Sequence, residues 1–577
     1  MRRILILLFM AAFGAPAHAQ ALDPSDYIYP VEGVAGLYSA NFGEMRPGHF
    51  HAGIDIKTDG VEGKPLVAVA DGYVSRLSIA PGGYGRAIYL TLRNGTTAVY
   101  GHLQRFRDDI EEYLRAERRR QRRNSLDLSF GPEQWPVKQG DRIGYSGNSG
   151  SSSGPHLHFE IRDTPTQRVR NVVREGIVRP TDDIPPRILR VHYVEVDTLQ
   201  GIPVHGPEAS YSVVRDADGR YRLTREEPVP TGPRGYFIAE VTDRRNGVGN
   251  TFGVWRVTAS MDGEPYFEYR MDGFTFDLSR CCDAVSCYPM QRRSRNEVIR
   301  LAQLEGAPNL FYTVMRERGL VRVAEGSTHC IRIEVEDDCG NRSQLEFSIR
   351  GTAPTLHPAE VVDSLDIPLY ADRMSVLRYG TEAVARIPAG ALHESLFTRP
   401  ERTQVAEKLH GVVFFSPAYR FLGPDTPLRQ AAVVSIEAQV PREYHLRATL
   451  AARTSSGGWV PAGGTYSNGA VNAVTRSTGD LAVVADTLPP TIRPLFTEGA
   501  DLSKAASIRL RVGDNFSGIA AWTMTIDGEW VPSERYPMRG TLVHEFDTPP
   551  QRRRHTIRLS VRDAAGNIAR YEGSFVR

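Results

Sequence analysis

The chain has 577 residues, with 70 Lys and Arg against 68 Asp and Glu, a formal net charge of +2. So even a balance leaves no electrostatic footprint for nucleic acid. A 41% hydrophobic content with 53 Gly and 38 Pro excludes a disordered chain and suits about four folded domains built of short elements and turns.

The first predicted element is a targeting segment. Arg2 and Arg3 precede an apolar run over 4–13, and Ala17-His18-Ala19 is a small-residue cleavage site. Residues 1–19 therefore read as a secretory signal peptide. The apolar run is short of the ~20 residues that span a bilayer, no Cys follows it, and no later stretch is apolar enough to cross a membrane. The expectation is an exported, soluble protein without a transmembrane segment once the signal is removed.

Residues 20–183 alternate apolar and polar runs with Gly and Asn turns, the pattern of short half-buried strands. In His51-Ala52-Gly53-Ile54-Asp55-Ile56, an extended backbone puts His51, Gly53 and Asp55 on one face and the aliphatic residues on the other. Gly53 between the two polar groups leaves room for an ion. In Ala87–His102, Asn94-Gly95 predicts a two-residue type I′ hairpin, which pairs Tyr89 with Tyr100 and Ala87 with His102. Tyr89, Thr91, Tyr100 and His102 then share the polar face.

One helix interrupts these strands. Phe106, Ile110, Tyr113 and Leu114 recur at helical spacing over 106–124, within an insertion of about 105–136. Its arginine-dense tail (Arg115, Arg118, Arg119, Arg120, Arg122, Arg123) reads either as a solvated face or as a contact for anionic wall polymers.

The Gly- and Ser-rich loop 144–154 reads as a mobile groove wall. It contains a formal GxSxG over 150–154, but Pro155 and a strand follow where a nucleophile elbow needs a helix. No GxxxxGK[ST] phosphate loop is present. The strand Pro155-His156-Leu157-His158-Phe159-Glu160-Ile161 alternates completely, with His156, His158 and Glu160 on one face.

Zinc takes tetrahedral N and O ligands, and a catalytic site keeps one position open for water. His51, Asp55 and His158 supply two imidazoles and one carboxylate for a single Zn2+. His102 and His156 remain for proton transfer and transition-state hydrogen bonding. His49 shares a face with His51, but only His51 has the HxGxD spacing, which leaves His49 a flanking or substrate-side residue. Glu160 is open between a partner orienting a histidine and a solvated strand end.

These segments resemble the lysostaphin/LytM-type zinc endopeptidases. The family's HxxxD pair is matched by His51 and Asp55, its HxH pair by His156 and His158, and its tyrosine-x-His-Leu strand by Tyr100-Gly101-His102-Leu103. Family-like text also runs through Pro65–Val74 and Gly140–Gly144, and the resemblance covers about residues 30–165. It implies a compact β fold with zinc in a groove and hydrolysis of the peptide cross-links of bacterial peptidoglycan. The alternative within the family is a non-catalytic wall-binding or amidase-activating module, whose members have typically lost metal or catalytic histidines.

Beyond residue 183 an internal repeat predicts two sandwich-like, immunoglobulin-like β-domains, 184–352 and 486–577. Asp183-Ile184-Pro185-Pro186 resembles Asp486-Thr487-Leu488-Pro489-Pro490. His329-Cys330-Ile331-Arg332 with Asp338-Cys339-Gly340-Asn341 resembles His555-Thr556-Ile557-Arg558 with Asp563-Ala564-Ala565-Gly566-Asn567. Residues 353–485 are strand-like without a chemical motif. All five cysteines (Cys281, Cys282, Cys287, Cys330, Cys339) fall in the first repeat, where export permits disulfides of undeducible connectivity. The fold class expected is thus mainly β and multi-domain, a compact peptidase domain followed by β-sandwiches that offer surfaces to an envelope partner.

Overall fold

A computed structural model describes residues 22–405 and 407–577. The signal peptide expected at 1–19 lies outside the described residues. The chain is mainly β and multi-domain, and no helix among the described residues is long and apolar enough to cross a membrane.

The N-terminal part is built on one antiparallel sheet. Its strands are β1 (Tyr38–Ala40), β2 (Ile54–Lys57), β3 (Gly72–Ile79), β4 (Arg86–Leu92), β5 (Thr96–Gly101), β6 (Leu126–Ser129) and β7 (His156–Asp163). They lie in the order β1-β2-β7-β5-β4-β3-β6. Alternation sets the two faces of the central strands: Ile54, Ile56, Leu157, Phe159 and Ile161 are fully buried beneath the sheet, and the polar residues between them emerge on top. Phe159 packs edge-on against Tyr100, ring centroids 5.3 Å apart.

The β4–β5 hairpin corrects the expected register. Ile88 pairs with Tyr100 and Tyr89 with Val99, one residue away from the two-residue count. Only Gly95 of the turn has positive φ, +84°, whereas a type I′ turn needs it at both central residues. The loop is therefore three residues, Arg93-Asn94-Gly95, closed by Gly95 N–H donating to the Leu92 carbonyl. The slip turns Tyr100 into the core, fully buried, where its hydroxyl bonds the Val67 carbonyl and the Val69 amide. The opposite face carries Ala87, Tyr89 and Val99 against Tyr84.

Helix α1 (Asp108–Gln121) starts two residues later and ends three earlier than expected. Asp108, Asp109 and Glu111 in its first turn and Arg118, Arg119 and Arg120 in its last complement the helix dipole. Arg122 closes it in the left-handed conformation, φ +50°. Phe106 precedes the helix in a two-residue strand, while Ile110 and Leu114 are fully buried.

Segments 20–183 and 184–352 share one continuous hydrophobic core running from Tyr27 to Ile349. A short strand pair, Val169 with Phe274, joins them through the backbone. A second core spans Leu369 to Val483 and a third Ile508 to Phe575. The third lies between two sheets, with Ile508, Leu510 and Leu542 from one and Ile557, Leu559 and Val561 from the other, which is sandwich packing. All five cysteines are free thiols.

The internal repeat recurs as geometry. Asp262 bonds His329 and the Cys330 amide, as Asp527 bonds His555 and the Thr556 amide. Asn341 donates to Asp337 and to the Asp182 carbonyl, and Asn567 donates likewise to Asp563 and Asp486. The counterpart of Asp486 is thus Asp182, not Asp183, and that of Asp563 is Asp337 rather than Asp338.

Candidate active site

Sheet register brings the predicted residues together. His158 on β7 pairs with Asp55 on β2 and, across its other edge, with Gly101 at the end of β5. His51 enters from the segment just before β2. Three ligand atoms converge: His51 Nε2 lies 3.1 Å from Asp55 Oδ1, His158 Nδ1 2.9 Å from the same oxygen, and the two ring nitrogens are 3.0 Å apart.

The opposite nitrogen of each ring is fixed by an acceptor. His51 Nδ1 donates to the Asn41 carbonyl at 2.8 Å, and His158 Nε2 to Glu160 at 2.7 Å. Each ring therefore turns its lone pair toward Asp55, the arrangement in which outer acceptors orient metal-binding imidazoles. Two imidazoles and a carboxylate with inward lone pairs fit one divalent zinc. Burial would lower the His158 pKa, but Asp55 and Glu160 push it up to about 9, whereas burial holds that of His51 below its ordinary value. Burial would raise Asp55, yet His51, His156 and His158 hold it well below the carboxylate range.

Gly53 serves a different purpose from the one expected. A Cβ there would stand 2.3 Å from the Phe159 carbonyl and 2.8 Å from Glu160 Cγ. The missing side chain admits β7 and Glu160, not an ion. Glu160 is itself fully buried, which decides its open role: it accepts from His158, Tyr84 and Arg162. Burial would raise its pKa, but Arg162 and His158 hold it at about 2.

His102 and His156 face each other beside this group, ring centroids 4.7 Å apart. His102 reaches the site by leaving the strand: β5 ends at Gly101, and His102 adopts φ +64°. Its Nδ1 donates to the Ser149 carbonyl and that of His156 to the Gly154 carbonyl, both at 2.8 Å, which leaves both Nε2 lone pairs for the cleft. Burial, with His156 and His158 adding to it, pushes His102 down to about 3. His49 is exposed, bonds the Pro47 carbonyl, and stays outside the group.

The cleft in front measures about 540 Å³ and is walled by Arg46, His102, His156, the 151–154 turn and Asn250. The glycine–serine loop is firmly packed rather than loose. A Cβ on Gly150 would stand 2.4 Å from the Gly83 carbonyl, and one on Gly147 2.2 Å from the Gln104 amide. Ser152 Oγ donates to the Gly154 carbonyl at 2.9 Å, and β7 follows it, so the GxSxG is not a nucleophile elbow.

Four contributors have no motif in the sequence. Arg46 bonds the outer oxygen of Asp55 at 3.3 Å, Tyr84 and Arg162 hold Glu160, and Asn41 holds His51. Asn41 is in turn clamped by the Gly253 amide and carbonyl. Tyr84 could have been noticed from its glycine-rich turn, Gly82-Gly83-Tyr84-Gly85; the others carry no local signal.

Comparisons with known proteins find similarity in two parts of the chain. Residues 128–170, which include His156 and His158, match Peptidase family M23, and residues 375–486 match the Zu5-like domain. An uncharacterized metalloprotease of Haemophilus influenzae is 35% identical over 121 residues, 21% of this chain and 19% of that protein. The DD-carboxypeptidase/endopeptidase Mpg of Neisseria meningitidis is 32% identical over 112 residues, 19% and 20% of the two chains. The chain thus spans about a fifth of the length of these relatives. Among solved structures, the catalytic domain of the prophage-encoded M23 protein EnpA from Enterococcus faecalis is 27% identical, covering 23% of this chain and 85% of that one with a TM-score of 0.17. The lysostaphin catalytic domain of Staphylococcus simulans is 20% identical, covering 26% and 91%, with a TM-score of 0.18. The N-terminal part of this chain thus combines a His-Asp-His group and paired cleft histidines with a match to peptidase family M23 over residues 128–170.

Proposed function

We propose that this chain is an exported zinc endopeptidase that hydrolyses peptide cross-links of bacterial peptidoglycan, acting in the periplasm or cell envelope. The observation that carries the reading is the meeting of His51 Nε2, Asp55 Oδ1 and His158 Nδ1, all within 3.1 Å of one another. When bound, zinc supplies an acidified water and a Lewis acid for the scissile carbonyl. His51, Asp55 and His158 hold the ion, and Arg46 occupies the second oxygen of Asp55 so that one oxygen faces inward. His102 Nε2, unprotonated in its buried setting, takes a proton from the attacking water. That proton passes to the departing amine, and His156, whose Nε2 lies 3.5 Å from Asp55 Oδ1, steadies the developing oxyanion in its protonated form.

The cleft is open and polar, which suits an extended peptide stem rather than a small apolar ligand. The relative named a DD-carboxypeptidase/endopeptidase supports the substrate class. The non-catalytic alternative is disfavoured because all five His and Asp positions are retained and converge. The test is digestion of purified peptidoglycan with mass spectrometry of the released muropeptides. Wild type should release cleaved cross-links, His102→Ala should bind zinc without cutting, and His158→Ala should lose both. A zinc-loaded wild type that releases nothing would overturn the proposal in favour of the non-catalytic module.

A further inference from the structure

Both copies of the internal repeat gather three aspartates that the peptidase chemistry does not use. In the first copy Asp182, Asp243 and Asp337 bring carboxylate oxygens within 4.8 Å of one another; in the second, Asp486, Asp514 and Asp563 do the same. The positions correspond element by element. Asp182 and Asp486 stand four residues before the second proline of each Pro-Pro hinge. Asp243 follows the strand Arg234–Thr242, and Asp514 the strand Ser507–Gly513. Asp337 and Asp563 open the two D-x-x-G-N turns.

Carboxylates in turns commonly satisfy themselves on backbone amides, and several of these do. Asp337 Oδ1 accepts from the amides of Cys339, Gly340 and Asn341. Asp514 Oδ2 accepts from Phe516 and Gly518, and Asp486 Oδ2 from Ser517. Asp243 does not. It is 1% exposed, and neither of its carboxylate oxygens has a hydrogen-bond partner among the described residues. Asp182 Oδ2 and Asp514 Oδ1 are likewise buried and unpartnered. The guanidinium near the first group, Arg245, meets Asp338 through Nη2, while its Nε and Nη1 are buried without hydrogen-bond partners among the described residues. Oxygens left bare inside protein and pointed at other carboxylates are costly unless a proton or a cation neutralises them.

We propose that each repeat binds one calcium-class divalent cation at its junction with the preceding domain, through Asp182, Asp243 and Asp337 in the first and Asp486, Asp514 and Asp563 in the second. All-oxygen donors select a hard cation over zinc. Calcium takes such oxygens in a flexible geometry, whereas magnesium demands a near-ideal octahedron. Asp182 ends the peptidase part, and Asp486 ends the strand Asp480–Asp486 of the middle domain. Each ion would therefore tie a domain to the one before it.

The test is equilibrium dialysis of the zinc-loaded full chain against calcium, with circular dichroism confirming the fold of each variant. Wild type should bind two calcium ions per chain, Asp243→Asn and Asp514→Asn one each, and the double variant none. The thermal midpoint of wild type should rise with calcium and that of the double variant should not. Absence of calcium binding by wild type at millimolar concentration, or two ions still bound by the double variant, would overturn the proposal. Equal binding of magnesium would overturn the calcium assignment.

Discussion

His158 is the residue on which the site turns, because its two nitrogens face two carboxylates with different tasks. Asp55 shares the inward position, and Glu160 fixes the ring from behind while being fixed itself by Tyr84 and Arg162. Glu160→Gln keeps the shape but removes the charge that makes Nε2 the donor and that balances buried Arg162. Zinc affinity should fall about 10- to 100-fold, read by competition with a chelator; unchanged affinity would show that Glu160 is only packing. His102→Ala, in contrast, leaves the three ligand atoms in place. Zinc content should stay at one per chain while cleavage falls by about 10²- to 10⁴-fold, the usual worth of a positioned proton carrier.

At the scale of elements, the site depends on how closely β2 and β7 approach, and Gly53 sets that distance. Gly53→Ala would drive a methyl into the Phe159 carbonyl, separating Asp55 from its partner His158. A loss of about 1–3 kcal/mol in folding stability is expected from the overpacking. It should come with lost zinc, seen as a lowered melting temperature that added zinc no longer raises. The polar faces of residues 51–55 and 156–160 were legible in the sequence because a two-residue period against fully buried Ile and Leu admits one arrangement. The β4–β5 hairpin was not, since Asn94-Gly95 is compatible with two- and three-residue loops and the choice rests on the φ of Asn94. Tyr100 was accordingly read onto the wrong face. His102 reached the right place only because its backbone leaves the strand. Arg46 and Asn41 were invisible because their roles come from contacts across separate strands.

At the scale of the whole molecule, the arginines around α1 divide: Arg119, Arg120, Arg122 and Arg123 are exposed, as a solvated face requires, while Arg118 is buried in a domain contact. Arg118 is 4% exposed and joins Glu534 of the C-terminal sandwich at 2.8 Å. Glu534 also bonds Arg86, which bonds Glu111 at 2.7 Å. Arg119 pairs with Asp547, and Asn124 bonds the Trp522 carbonyl and the Ser533 amide. The last domain is thus clamped to the helical insertion of the first, and Arg86 links the clamp to the active site, since its amide is held by Ser149, whose carbonyl orients His102. Burial would raise the Glu534 pKa, but Arg86 and Arg118 bring it from its ordinary 4.5 down to about 2. A carboxylate depressed in the folded state contributes stability that is complete above about pH 4.5 and lost as pH falls through about 2. The difference corresponds to about 3 kcal/mol. Small-angle scattering and limited proteolysis should therefore show the C-terminal domain leaving α1 as pH drops across that window. Glu534→Gln, which strands Arg118 as a buried unpaired charge, should release the domain already at neutral pH at a cost of about 3–5 kcal/mol. If the variant scattered like wild type at pH 7, the clamp would not be what holds the domain, and the hydrogen bonds of Asn124 would have to carry the docking instead.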